Sequence, residues 1–326
     1  MKLNEGDNFR VEGSKSAEHG RLIRMRKIGG YGAALAVMPY LLIKIVWTLG
    51  LLIPTGHMGD PNWRMVNAVT AVVAAIGIFL AIALCRPWGE RLPAWSVALP
   101  VWIGTGLLVP MLFLAPILGP AAVNQDQAAG SADIWTYEQV LIMLSLIGVG
   151  ICLPVALAGY AKTRWPEALG GPLHTGEAPG NSYNLQITLG RMVAAGCVIL
   201  GVLKLFWAAG GTIGIIPSMI EDRNLWWHLL TLSTGVWALA GAWGILVLTS
   251  RKGSRRFPLP MAAAWISSGM LFSYNIFANL SELMYKGPSS PEYPIARVMT
   301  TEAGIILGVA MILIILMVLH DRRREE

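Results

Sequence analysis

Two lysines stand inside otherwise apolar runs, Lys44 in LLIKIVWTLG and Lys204 in GVLKLFWAAG. An ammonium near the centre of a bilayer costs at least ~2.5 kcal/mol unless it is paired or reaches an interface, so each needs a partner. Glu138 and Glu302 sit near the outer starts of later apolar runs, and an extended lysine side chain can reach outward to such a carboxylate. The pattern predicts one ion pair per half, Lys44 with Glu138 and Lys204 with Glu302. Trp47 and Trp207 follow their lysines by one helical turn, where an indole can stack over the ammonium or anchor the helix at the interface. Such pairs can fix helix register, or they can exchange partners and protons as a solute passes.

A second constellation occurs in one half alone. Asn275, Asn279 and Glu282 are spaced i, i+4 and i+7, which puts all three on one helical face, with Ser273 and Tyr274 nearby. The corresponding stretch of the first half, VPMLFLAPILG, has no such stripe. Packing alone is served by small residues, so this polarity points to a hydrated cavity or to hydrogen bonds at a wet outer boundary. His228, beside Trp226 and Trp227, and His57 read as interface residues. No HExxH, DxxD, GxSxG, P-loop or Cys/His ligand cluster is present, so zinc, diphosphate-magnesium and serine-hydrolase chemistries lack their parts. Neither a cofactor nor a metal is expected, and Cys85, Cys152 and Cys197, in or beside apolar runs, are expected to form no disulfide.

The elements that position these residues follow from composition. With 55% apolar residues, 13% charged and a mean hydropathy of +0.56, the chain belongs to the all-α polytopic membrane class. Eight stretches reach the roughly 20 residues that cross a hydrocarbon core, at 30–54, 66–86, 95–118, 137–160, 189–213, 226–249, 259–283 and 299–319. Lysines and arginines near span ends stay cytoplasmic, which predicts that both termini lie inside. Only Arg64, Arg223, Lys286 and Arg297 then fall outside. The net charge of +6 is accounted for by this topology and by anionic lipid headgroups, with no call for nucleic acid. The first 29 residues are too polar for a signal peptide, so the first span is expected to remain in the membrane.

The chain also repeats itself. KIVWTLGLLIP returns as KLFWAAGGTIGIIP, VWIGTG as AWISSG, and YEQVLIM as TEAGIIL. The expected organisation is an N-terminal tail at 1–29, a four-helix repeat at 30–162, a Gly/Pro-rich linker at 163–188, a second repeat at 189–319 and a short tail at 320–326. An even number of spans per repeat inserts both copies in the same, parallel orientation. The segment WAAGGTIGIIP resembles the tryptophan, double-glycine, glycine and proline signature of a family of small four-helix bacterial membrane proteins of unknown function. The whole chain is similar to duplicated versions of these in high-GC Gram-positive bacteria. Leu51 departs from the pattern in the first copy. The resemblance implies a four-plus-four architecture in a bacterial cytoplasmic membrane and carries no chemistry.

The function these features favour is a transporter or permease for a small polar or amphipathic solute, with Lys204, Trp207, Asn275, Asn279, Glu282 and Glu302 along an outward-facing cavity. Membrane lipids and the solute are its expected partners. Two other classes fit less of the pattern. One is a membrane-embedded enzyme on a lipid-like substrate using Glu282 or Glu302 as general acid or base; the other is a non-catalytic assembly or immunity protein.

Overall fold

A computed structural model describes residues 5–52, 61–112, 134–164, 166, 181–221, 223–250, 257–285 and 292–322. Helix α1 spans Glu5–Thr48, α2 Pro61–Cys85 and α3 Ala94–Leu112, with a 3-10 turn at Pro87–Arg91 between the last two. Helix α4 runs through Ile134–Ile147, a π-helical turn at Gly148–Cys152, and Leu153–Arg164. Helices α5 (Asn181–Ala208), α6 (Leu225–Ser250) and α7 (Pro258–Tyr285) follow. Helix α8 begins at Pro294–Arg297, widens into a π-turn at Val298–Glu302 and continues as Ala303–Arg322. There is no strand among the described residues, as an all-α chain requires.

Six stretches are long and apolar enough to cross a membrane: His19–Thr48, Trp63–Cys85, Val140–Arg164, Tyr183–Ala208, Leu225–Ser250 and Pro294–Arg322. The protein is therefore a multi-pass membrane protein. By length and composition the eight expected spans stand at six among the described residues. Helix α3 contributes a shorter apolar segment, Ala94–Val109. Helix α7 is long enough, but Ser267, Ser268, Ser273, Asn275 and Asn279 dilute its apolar character.

Contacts divide the chain into two compact units, residues 1–97 with 115–166, and residues 98–114 with 167–326. Most of α3 thus groups with the second unit rather than with its neighbours in sequence.

In the first unit α1 lies between α2 and α4. A Cβ added at Gly29 would stand 2.6 Å from the Cys152 carbonyl of α4, and one added at Gly30 would stand 2.5 Å from the Ala81 carbonyl of α2. Two successive glycines thus let α1 press its backbone against both neighbours, which is how membrane helices gain packing without a hydrophobic drive between them. Toward its N-terminal end, Arg26 is buried and donates to the Leu84 carbonyl (3.0 Å), Thr163 Oγ1 (2.9 Å) and Glu90 Oε1 (2.5 Å). These bonds tie the 3-10 turn and the last turn of α4 to α1.

The core of the second unit is formed by α5, α6, α7 and α8 around Cys197, Ile245, Leu248, Ala264, Met311 and Ile315. Residues 98–112 of α3 lie against α7. Trp102 Nε1 donates to Ser268 Oγ (2.9 Å), its ring stacks on Phe272 (4.8 Å), and a Cβ at Gly106 would meet the Gly269 carbonyl at 2.1 Å. The glycines that close VWIGTG and AWISSG therefore face one another.

Candidate functional site

The C-terminal end of α5 sets the geometry around Lys204. Gly210 adopts φ +98°, a left-handed conformation that glycine enters without the Cβ penalty. Its N–H donates to the Trp207 carbonyl (3.0 Å) and that of Gly211 to the Phe206 carbonyl (2.9 Å), a Schellman closure that ends the helix at Ala208. Lys204 is thus one turn from its helix end, not deep in a span reaching to residue 213.

Helix α1 ends in the same way. Gly50 has φ +84°, Gly50 N–H donates to Trp47 O (3.0 Å), and Leu51 N–H donates to Val46 O (3.0 Å). Arg26 and Lys44 lie on one face of α1 about five turns apart, roughly 27 Å along the axis. A hydrocarbon core is about 30 Å thick, so a polar group falls near each of its boundaries. Gln186 and Lys204 repeat the spacing on α5. The expected penalty of a mid-bilayer lysine is correspondingly relieved.

Beyond Gly210 the chain turns back, with Gly214 at φ +84°, and pairs with the segment leading into α8. Ile215 and Glu292 form an isolated antiparallel bridge, and Tyr293 N–H donates to the Gly214 carbonyl (2.9 Å). This pairing carries Glu292 over the end of α5, where its Oε1 lies 3.7 Å from Lys204 Nζ. Both side chains are mostly buried, at 21% and 12% exposure. Lys204 also lies 5.2 Å from the Trp207 ring centroid, as the stacking reading anticipates. That indole is fully buried and held by its Nε1–H donating to the Ile213 carbonyl (2.8 Å).

A cavity of about 20 Å³ adjoins the lysine; its walls are mostly apolar, from Leu200, Ala238, Met270 and Leu271, with Lys204, Thr234, Tyr274, Asn275 and Thr300 at the same space. This is room for about one water molecule. The hydroxyls of Thr234 and Thr300 donate to Thr231 O and Arg297 O, leaving their oxygens able to accept. The π-turn of α8 buries Thr300 at this cavity and leaves Glu302 exposed.

The expected residues therefore fall into two groups. Lys204, Trp207 and Asn275 gather at or beside the cavity, and Asn275 Nδ2 also donates to the Leu271 carbonyl one turn back (2.6 Å). Asn279 and Glu302 form a separate cluster in which Asn279 Nδ2 donates to Glu302 Oε1 (3.1 Å) and Arg297 Nη2 donates to Asn279 Oδ1 (3.4 Å). Glu302 thus bonds Asn279, and it is Glu292 that pairs with Lys204. The Glu282 side chain lies outside the described residues, as does that of Glu138.

Sequence reasoning missed Glu292 because the residue lies in a loop, between Pro291 and Pro294, where no helical spacing points to it. The available signal was an acidic residue just ahead of a proline-started helix.

In the first unit Lys44, buried at 6% exposure, donates to Asn67 Oδ1 of α2 at 2.7 Å. It lies between the rings of Tyr40 (5.3 Å) and Trp47 (4.8 Å). Trp47 packs on Trp63 (5.3 Å), and the end of α1 is further closed by Arg64, which donates to the Thr48 carbonyl through Nη2 at 3.0 Å. His228 Nδ1 contacts the Ala208 carbonyl at 3.0 Å, the corresponding place on α5. His228 is thus a helix-end contact.

Among the described residues, no group of three or more His, Cys, Asp or Glu side chains lies close enough to hold a metal ion. Cys85, Cys152 and Cys197 are free thiols. The arrangement places an ammonium, two hydroxyls and an amide around a space of about one water, with the Glu292 carboxylate on the lysine. Comparison with protein-family models, curated proteins and solved structures finds no match.

Proposed function

We propose that this membrane protein is a permease for a small polar solute, and that its second unit carries the site at which passage is controlled. The observation that carries this reading is the mostly buried Lys204–Glu292 pair at 3.7 Å, beside a small and mostly apolar cavity of about 20 Å³. A site that size is closed to anything much larger than water, so the described conformation is the occluded one and the pair must part for a solute to enter. Intramembrane charges facing a cavity are the usual marks of a solute path. The reading includes two tandem four-helix repeats, both termini inside, in a bacterial cytoplasmic membrane. The matching helix ends at Gly50 and Gly210 support the duplication, and the basic residues near span ends support the orientation.

The test is reconstitution into vesicles and a screen of small polar solutes by isotope or swelling uptake. Lys204→Met should remove flux from protein that still inserts and purifies. Should no solute move, while Lys204→Met lowers abundance alone, the second reading takes over, that of a non-catalytic membrane scaffold. That reading draws on Lys44, where an ammonium hydrogen-bonded to Asn67 closes the end of a helix.

A further inference from the structure

We infer that the site is operated by protons, with Glu292 as the group that takes up and returns the proton. This deepens the permease reading and rests on it for direction of transport, but its chemistry follows from the arrangement of side chains. Glu292 reaches the site on a loop-borne bridge rather than on a membrane helix, so external water has the shortest approach to it. Its Oε1 is 3.7 Å from Lys204 Nζ, longer than a normal charge-assisted hydrogen bond, so the pair is held mainly by opposite charge.

The step is a simple transfer. A hydronium ion outside gives its proton to a carboxylate oxygen of Glu292; one O–H bond forms there, one breaks on the donor, and nothing is oxidised or reduced. The neutral acid no longer attracts the ammonium, and Lys204 is free to turn toward the cavity. There the oxygens of Thr234, Thr300 and Asn275 can accept from it. Loss of the proton from Glu292 restores the pair.

The groups facing this centre support the assignment. Helix α5 supplies Lys204, α6 supplies Thr234, and α7 supplies Tyr274 and Asn275. From α8 comes Thr300, while Arg297 and Glu302 are engaged with Asn279.

The experiment replaces the native cysteines, introduces a single Cys at Asn275, and measures its labelling by a membrane-impermeant maleimide from outside as pH is lowered. Rates are taken relative to a Cys at Ile213, which is 77% exposed, so that the reagent's own pH dependence cancels. The expected ratio rises about tenfold per pH unit until the acid form dominates, the slope of a single titrating group. Glu292→Gln, a mimic of the protonated acid, should give a high ratio that no longer responds to pH. A flat ratio in the parent, or a rise that survives Glu292→Gln, would overturn the inference.

Should Glu292→Gln fail to fold, infrared spectra of the unsubstituted chain, Glu292→Asp and Glu302→Gln decide. A protonated-carboxyl band that moves in Glu292→Asp and stays in Glu302→Gln supports the inference; a spectrum unmoved by Glu292→Asp refutes it. The permease reading fails separately: pH-switched labelling with no solute flux removes transport and keeps the proton site. Flux in the parent that persists in Glu292→Gln, with a parent ratio that does not respond to pH, does the reverse.

Discussion

The two lysine-bearing helix ends are built alike and closed differently. Lys44 and Lys204 each lie one turn before the end of their helix, ahead of a left-handed glycine, and each faces a tryptophan, at 4.8 and 5.2 Å. In the first unit α2 offers Asn67, and the lysine is seated at 2.7 Å by a neutral oxygen on an adjacent helix. In the second unit the acceptor is Glu292, brought in by a loop and left at 3.7 Å beside a cavity. The opposite ends differ as well. Arg26 has an ion pair with Glu90, whereas Gln186 on α5 is a neutral donor to Asp321 (2.7 Å). A pair on a loop beside a void can open more readily than a hydrogen bond between packed helices.

The largest expected effect comes from breaking the loop-borne pair. Lys204→Met leaves Glu292 mostly buried without its ammonium, and should cost about 3 kcal/mol, read as a clear fall in Tm in detergent. Lys44→Met takes the ammonium from Asn67 and from the Tyr40 and Trp47 rings, and a smaller loss than that of Lys204→Met is expected in the same assay. Equal losses would erase the distinction between the units.

A similar loss of about 1 kcal/mol is expected for Gly210→Ala, because φ +98° strains any residue with a Cβ. Gly50→Ala, at φ +84°, should match it, and a large difference would show that the two helix ends are not equivalent. The smallest effect is expected from Glu302→Gln. Its exposed carboxylate accepts from Asn279, an amide oxygen can replace it, and Tm should move by no more than about 0.5 kcal/mol would allow.

Much of this comparison was legible in the residue pattern. The recurring Lys, Trp and Gly foretell the stacked ammonium, and the i, i+4 spacing of Asn275 and Asn279 puts both on the side of α7 that meets α8. What the pattern hid has physical causes. Apolar residues such as Leu51, Leu52 and Ile213 continue past the helix ends, so hydropathy ran the spans on where backbone conformation stopped them at Thr48 and Ala208. A glycine just beyond the last periodic residue was the stop signal to weigh. Glu292 was invisible because its place depends on a loop pairing with Ile215, a contact with no periodicity. The polar stripe also divides by depth. Asn275 faces the cavity while Asn279 joins Arg297 and Glu302.

The central claim is that the polar face of α7 in the second unit meets water reaching in from outside. It is tested most directly by a single Cys at Asn279 in a background lacking Cys85, Cys152 and Cys197, labelled from outside with a membrane-impermeant maleimide. A Cys at Leu313, 54% exposed on an apolar stretch of α8, serves as the lipid-facing control. The account predicts rapid labelling at 279 and none at 313; protection at 279 equal to that at 313 would contradict it and leave the Lys204–Glu292 pair as a structural clasp.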